Sequence, residues 1–243
     1  MAAHAPSVVE GDDALTALHR KLEYFPTPPW AARAGGDLIK GLDPRAETAW
    51  EPACGEGHMV HGLGDYFERV DGSDIHDHGS HYQALTADFL GDGLERMACD
   101  WVVTNPPFSL AAQFVETGLR RARRGVALLA RLALMESAGR GGLFSGAPPL
   151  PVLAPFFERV PMTLGRWDPK ASTATAYAWF LWMHPEAIAA AGRGRVALTA
   201  CTPVVLGIAP GARERLTRPD DARLFGVKAE TPLFDDINEN SGG

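Results

Sequence analysis

Asn105-Pro106-Pro107-Phe108 closes the apolar run Trp101-Val102-Val103. Two consecutive prolines remove backbone donors and stiffen the chain, so the Asn105 side-chain oxygen and the Pro106 carbonyl can point at one acceptor-rich spot. Such a spot suits an NH2 group, which has two hydrogens to donate. Phe108 offers a flat face for a planar amide or base. Asn-Pro is also a common turn initiator, so the bland reading of the same residues is a tight turn.

Three upstream features make the turn reading the weaker one. In Trp50-Glu51-Pro52-Ala53-Cys54-Gly55-Glu56-Gly57, glycines between a strand and a helix let backbone approach a bound nucleotide-like ligand. The loop lacks the full six-residue dinucleotide pattern and the Lys-Ser/Thr of a phosphate loop. It opens instead on a carboxylate, Glu51, which suits a cationic amino group. Asp74, in Gly72-Ser73-Asp74-Ile75, follows the loop by about 20 residues, where an acid can accept ribose hydroxyls. Asp88-Phe89 comes after a third strand, where the carboxylate can accept from an adenine amine while the ring packs beside the purine.

The elements that must position these residues alternate. An amphipathic helix from Asp13 to Tyr24 is broken by Phe25-Pro26-Thr27-Pro28-Pro29-Trp30. Thr27 is the expected N-cap of a helix running to about Lys40. Strands are predicted at Thr48–Glu51, Arg69–Asp74, Ala84–Phe89, Trp101–Thr104 and Val126–Ala130, with helices at His58–Phe67 and Ser109–Arg123. Arg159–Thr163 and the aromatic run Ala176–Met183 are candidate final strands. Gly139–Pro151 reads as a surface loop, and Val196–Ile208, interrupted by Pro203, as an edge or split strand. This is the pattern of an α/β, doubly wound, mostly parallel seven-stranded sheet, which binds ligands at the carboxyl ends of its strands. One catalytic domain over 24–210 is expected, with a basic loop region at 137–175. An N-terminal extension (1–23) and a C-terminal extension (211–243) flank it, and the acidic end after Leu233 is predicted to be disordered.

Composition narrows the partners. The net charge of −7 argues against nonspecific coating of nucleic acid. Residues 118–170, however, carry nine bases against three acids. Arg120, Arg121, Arg123 and Arg124 either face a polyanion or cap a helix C-terminus. No run is long and apolar enough to span a membrane, and no basic flank precedes an apolar core, which implies a cytoplasmic protein. Cys54, Cys99 and Cys201 form no CxxC pair, and His76, Asp77, His78 and His81 have no familiar zinc spacing, so no metal is expected. Nothing in the pattern specifies an oligomer.

Taken in order, the glycine loop, Asp74, Asp88 and Asn105-Pro-Pro-Phe108 resemble the class I S-adenosylmethionine-dependent amino-methyltransferases. The likeness is to the adenine-N6 DNA methyltransferases, and Tyr24–Trp30 is similar to small phage and prophage enzymes. The resemblance spans roughly residues 24–183. It implies that Tyr24, Phe25, Thr27, Glu51, Pro52, Ala53, Cys54, Gly55, Asp74, Ile75, Asp88, Phe89 and Asn105 hold S-adenosyl-L-methionine. Asn105, Pro106, Pro107 and Phe108 would then hold an adenine flipped out of double- or single-stranded DNA. Glutamine side chains and RNA bases are other planar amines that the same motif can serve, and the non-enzymatic alternative is a catalytically decayed methyltransferase fold acting as a nucleic-acid-binding module. No segment of about a hundred residues remains for a target-recognition domain, so short or relaxed specificity is implied, with Arg140, Arg166 and Lys170 as phosphate contacts. Trp167 reads either as a base wedge or as a partly buried anchor.

Overall fold

The apolar stretch before Asn105 becomes a strand buried along its whole length, and the sheet is arranged around it. A computed structural model describes residues 9–92, 94, 98–136, 141–145, 152–191 and 204–226. Its strands are β1 (Thr48–Glu51), β2 (Arg69–Asp74), β3 (Leu85–Thr86), β4 (Cys99–Thr104), β5 (Ala122–Arg131), β6 (Val152–Pro155), β7 (Tyr177–Met183) and β8 (Val204–Val205). Its helices are α1 (Val9–Leu22), α2 (Pro29–Leu42), α3 (His58–Leu63), α4 (Ala111–Arg121), α5 (Gly141–Ser145), α6 (Pro185–Ala191), α7 (Ala212–Leu216) and α8 (Pro219–Phe225). None of the described helices is long and apolar enough to cross a membrane.

The sheet order is β3-β2-β1-β4-β5-β7-β6-β8. β1 pairs in parallel with both β2 and β4, and β4 in parallel with β5, while β7 runs antiparallel to β5 and β6. The fold is therefore the doubly wound α/β class expected from the sequence. The winding reverses between β1 and β4, so their carboxyl ends, at Glu51 and Thr104, border the crevice where such sheets bind ligands.

Both faces of the sheet are covered, which explains the unbroken apolar strands. Trp101, Val103, Ala127, Leu129 and Trp179 face a core shared with Trp30, Ile39 and Leu63 of α2 and α3. Val102, Val126, Leu128, Phe180 and Trp182 face the opposite core, with Phe114 and Val115 of α4. Two of the buried indoles are hydrogen-bonded across the core: Trp179 Nε1 donates to the Ala31 carbonyl at 3.1 Å and Trp101 Nε1 to Asp43 at 3.0 Å.

Several local expectations are corrected. The sheet has eight strands rather than seven among the described residues. Arg159–Thr163 is not a strand; the role belongs to Val152–Pro155, whose apolar run pairs with β7 on one side and β8 on the other. Of Ala84–Phe89 only Leu85–Thr86 is strand, and of Val196–Ile208 only Val204–Val205 among the described residues. α4 stops at Arg121 because Ala122 already enters β5. Arg140 and the tail after Leu233 lie outside the described residues.

The terminal helices are tied to the core. Arg33, 1% exposed on α2, donates to both oxygens of the fully buried Asp221 at 2.7 and 3.0 Å, to Asp65 at 2.6 Å and to the Leu216 carbonyl at 3.0 Å. Phe225 of the same α8 packs on His58 at 4.3 Å between ring centres. Residues 212–225 thus brace α3, the helix that follows the glycine loop.

Candidate active site

Glu51 ends β1 and is 1% exposed, with the Ala53 N–H donating to its Oε1 at 3.0 Å. Burial pushes its carboxyl up to about 8, against the hydrogen bonds that favour the ionised form. A buried, neutral carboxyl at a strand end is poised to ionise against an incoming cation.

The turn after it is shaped by glycines for a different reason than expected. Gly55 (φ +52°) and Gly57 (φ +95°) adopt the left-handed region. A Cβ at Gly55 would stand 2.4 Å from the Tyr24 ring, and one at Gly57 2.2 Å from Tyr82. The missing side chains thus admit neighbouring aromatic rings rather than only a ligand. Gly55 N–H donates to Asp74 Oδ2 at 2.9 Å, and Tyr24 Oη accepts the Glu56 N–H at 3.3 Å, so Tyr24 closes over the loop.

Asp74 ends β2. Burial alone would raise its pKa, but His78, at 3.6 Å, and the N–H groups of His76 and Gly55 outweigh burial and hold the carboxyl below its usual value. It stays an acceptor at neutral pH. Asp88 Oδ1 is capped by the Leu90 N–H at 2.9 Å, and Phe89 is wedged edge-on against Trp50 at 5.0 Å. Glu51, Cys54, Asp74, Ile75, Asp88 and Asn105 all line one cavity of about 310 Å³, together with Tyr24, Phe25, Thr27, Pro52, Ala53 and Phe89. Of the residues expected to hold cofactor, only Gly55 does not line it.

Asn105 sits at the end of this cavity. Its Nδ2 donates to the Phe25 carbonyl at 2.9 Å and to Thr27 Oγ1 at 3.1 Å, which fixes the amide orientation. Thr27 therefore serves Asn105; Pro28, not Thr27, occupies the N-cap of α2. Asn105 Oδ1 is left buried with no partner among the described residues. The Pro107 carbonyl accepts from Leu110 N–H at 2.9 Å, whereas the Pro106 carbonyl has no donor among the described residues. An orphaned buried acceptor costs about 1–3 kcal/mol unless a ligand or water donates to it, and His58 Nε2, on the lining of the same cavity, is likewise without a partner among the described residues.

Asn105 and Pro107 border the first cavity; Pro106 and Phe108 border a second one of about 210 Å³, floored by Ala111, Ala130 and Leu134. The Asn-Pro-Pro-Phe segment is the wall between the two. Arg131, at the end of β5, lays its guanidinium over Phe108 at 4.1 Å from the ring centre.

Other expected contacts distribute differently. Trp167 is 3% exposed, its backbone bridging to Gly226, so it is an anchor and not a base wedge. Arg166 and Lys170 are exposed in the loop whose Gly165 N–H donates to the Tyr24 carbonyl at 2.8 Å. Arg123 and Arg124 are used at the opposite end of the sheet, whereas Arg121 reaches the far side of Phe89, a residue of the cavity lining. Arg123 pairs with Asp100 at 2.9 Å, Arg124 with the buried Asp43, and Arg121 lies over Phe89 at 5.1 Å while donating to the Gly91 carbonyl. Among the described residues no group of three His, Cys, Asp or Glu could hold a metal, and His76 and His78 instead pack ring against ring at 5.1 Å.

Residues that motif reading missed are also here. Glu23 is the one described non-glycine with positive φ (+49°), and its carboxylate accepts the N–H and Oγ of Ser109 at 3.1 and 3.2 Å. It fastens α1 to the segment following Phe108. Neither Glu23 nor Arg131 belongs to a recognisable motif; both are brought in by element ends.

No protein-family model and no curated protein matches the chain. Among solved structures it is similar to a modification subunit assigned to a type I restriction enzyme of Vibrio vulnificus, at 16% identity and TM-score 0.45, over 74% of this chain and 50% of that one. A type I restriction-modification methyltransferase subunit of Streptococcus thermophilus matches at 14% identity and TM-score 0.45, over 66% and 45%. A Pyrococcus horikoshii protein assigned as an RNA methyltransferase matches at 11% identity and TM-score 0.47, over 70% and 96%. The chain spans about half the length of the first two.

Proposed function

We propose that this chain is an S-adenosylmethionine-dependent methyltransferase acting on the exocyclic N6 amine of adenine in DNA, with short or relaxed sequence specificity. The observation that carries the reading is Asn105 Oδ1, a buried acceptor without a partner, on the wall between two cavities.

The first cavity fits the cofactor. Its volume of about 310 Å³ lies within the range of small-molecule sites, and its acids are distributed along it. Glu51 would meet the methionine ammonium, Asp74 the ribose hydroxyls, and Asp88 with Phe89 the adenine. When bound, S-adenosylmethionine supplies an electrophilic methyl group.

The chain's own residues then treat the acceptor nitrogen. An adenine amine is a poor nucleophile because its lone pair is delocalised into the ring. Asn105 Oδ1 and the Pro106 carbonyl accept its two hydrogens, which draws the nitrogen toward tetrahedral geometry and frees the lone pair. These acceptors interact most strongly as positive charge grows on the nitrogen, so they favour the transition state over the ground state. Phe25 and Thr27 hold the Asn105 amide so that its oxygen faces the substrate. Phe108 supplies a stacking surface that offsets part of the few kcal/mol needed to unstack a base.

The test is incubation of the purified chain with labelled cofactor and, separately, unmethylated DNA, RNA and a protein extract, followed by digestion and mass analysis. N6-methyladenine in DNA is the expected product. Methylglutamine, or label confined to RNA, would contradict the substrate; label nowhere would contradict the activity.

A further inference from the structure

Arg131 ends β5 beside the wall formed by Asn105–Phe108, and it is exposed, yet its guanidinium is not free in solvent. It lies 4.1 Å from the centre of the Phe108 ring and 5.7 Å from that of Phe25. The buried Tyr177 phenol is beside it on β7. Among the described residues no carboxylate forms an ion pair with it, in contrast to Arg33, Arg69, Arg123 and Arg124.

The 4.1 Å separation decides what can happen at Phe108. Carbon-to-carbon contact takes about 3.5–4.0 Å, so a planar base between the ring and the guanidinium would need about 7–8 Å. Arg131 therefore occupies the stacking layer itself. A planar substrate group can reach Phe108 over this cavity only by displacing it, and the floor of Ala111, Ala130 and Ala133 offers the departing cation no carboxylate.

We propose that Arg131 is a placeholder and anchor: it caps Phe108 in the free enzyme and passes to a phosphate of the target strand when the base takes its place. Planar, cationic and with several donors, a guanidinium suits both positions, first as a stacking surrogate for a base and then as a forked partner for phosphate oxygens. The inference rests on the nucleic-acid reading of the site, and it deepens that reading by naming the group that separates a phosphodiester-borne amine from a protein side chain. A glutamine substrate would give Arg131 nothing to receive it.

The experiment compares wild type, Arg131→Ala and Arg131→Lys in steady-state methylation of unmethylated duplex oligonucleotides from about 50 to 200 mM salt, with cofactor affinity measured in parallel. For Arg131→Ala, KM for DNA should rise about tenfold or more with cofactor affinity unchanged, and the log–log salt dependence should become shallower by about 0.9. Arg131→Lys keeps the charge and should keep the wild-type salt slope while losing the planar cap. A merely structural role would not move that slope. If wild type methylates DNA and Arg131→Ala retains its salt slope, this inference alone is overturned. If wild type leaves DNA unlabelled, the parent reading falls and this inference with it.

Discussion

At the scale of single residues, the site depends on which way one amide faces. Asn105 donates both its hydrogens to Phe25 and Thr27, leaving only the oxygen for a substrate. Asn105→Ala should abolish methyl transfer while leaving cofactor affinity within a few fold by calorimetry; lost cofactor binding would assign Asn105 to the wrong cavity. Glu51 makes a pH-dependent prediction. Its folded-state pKa, about 8, lies above the ordinary 4.5, so the fold binds the proton more tightly than the unfolded chain. The stability this contributes is fully present below about pH 4.5 and is lost as pH rises through about 8. Glu51→Gln should therefore melt above wild type in alkaline buffer and near it in acid, without cofactor. Cofactor binding near pH 7 should release a proton in wild type and none in Glu51→Gln, read from calorimetry in buffers of different ionisation enthalpy. Equal proton release in both would show that the cationic group goes elsewhere.

At the scale of elements, the site is assembled from strand ends and the pieces pinned across them. Gly55→Ala combines a positive φ with a Cβ pressed to 2.4 Å from Tyr24, so it should open the loop and weaken cofactor binding by about tenfold or more. Adding Tyr24→Ala removes the clash but not the backbone strain, and should restore only part of the affinity. Asp221→Ala leaves Arg33 buried without its main partner and should lower unfolding free energy by about 3–5 kcal/mol in denaturant titration. Motifs made of local backbone chemistry were legible in the sequence: the glycine loop, the acids ending strands, and the Asn-Pro-Pro-Phe turn after a wholly apolar strand. What was not legible depends on distant pairing. Val152–Pro155 looks like loop until β7 supplies a ladder on one side and β8 on the other. Thr27 has the composition of an N-cap, but a tertiary partner 78 residues away claims its hydroxyl. Trp167 reads equally as wedge or anchor until its burial is seen.

At the scale of the whole molecule, charge is spent unevenly. Of the nine bases in residues 118–170 of a chain of net charge −7, Arg123 and Arg124 are used far from the site, where they neutralise Asp100 and Asp43. Lys21 lines the first cavity and Arg131 the second, and Arg166 and Lys170 are exposed in the loop after Gly165. If Arg131, Arg166 and Lys170 alone meet phosphates, duplex binding should follow salt with a log–log slope of about −2.7, far shallower than that of a protein which coats DNA. Fluorescence anisotropy on a short duplex would check this, and a slope near −6 or steeper would mean that a larger basic surface is at work. A shallow slope would agree with the short or relaxed specificity proposed above. The most direct test of the central claim uses duplex DNA carrying nitrogen-15 at the adenine exocyclic amine and a donor carrying carbon-13 in its methyl group. Directly bonded carbon–nitrogen coupling in the released nucleoside, present with wild type and absent with Asn105→Ala, is the predicted result; methyl label on any other atom, or transfer undiminished in the variant, would contradict it.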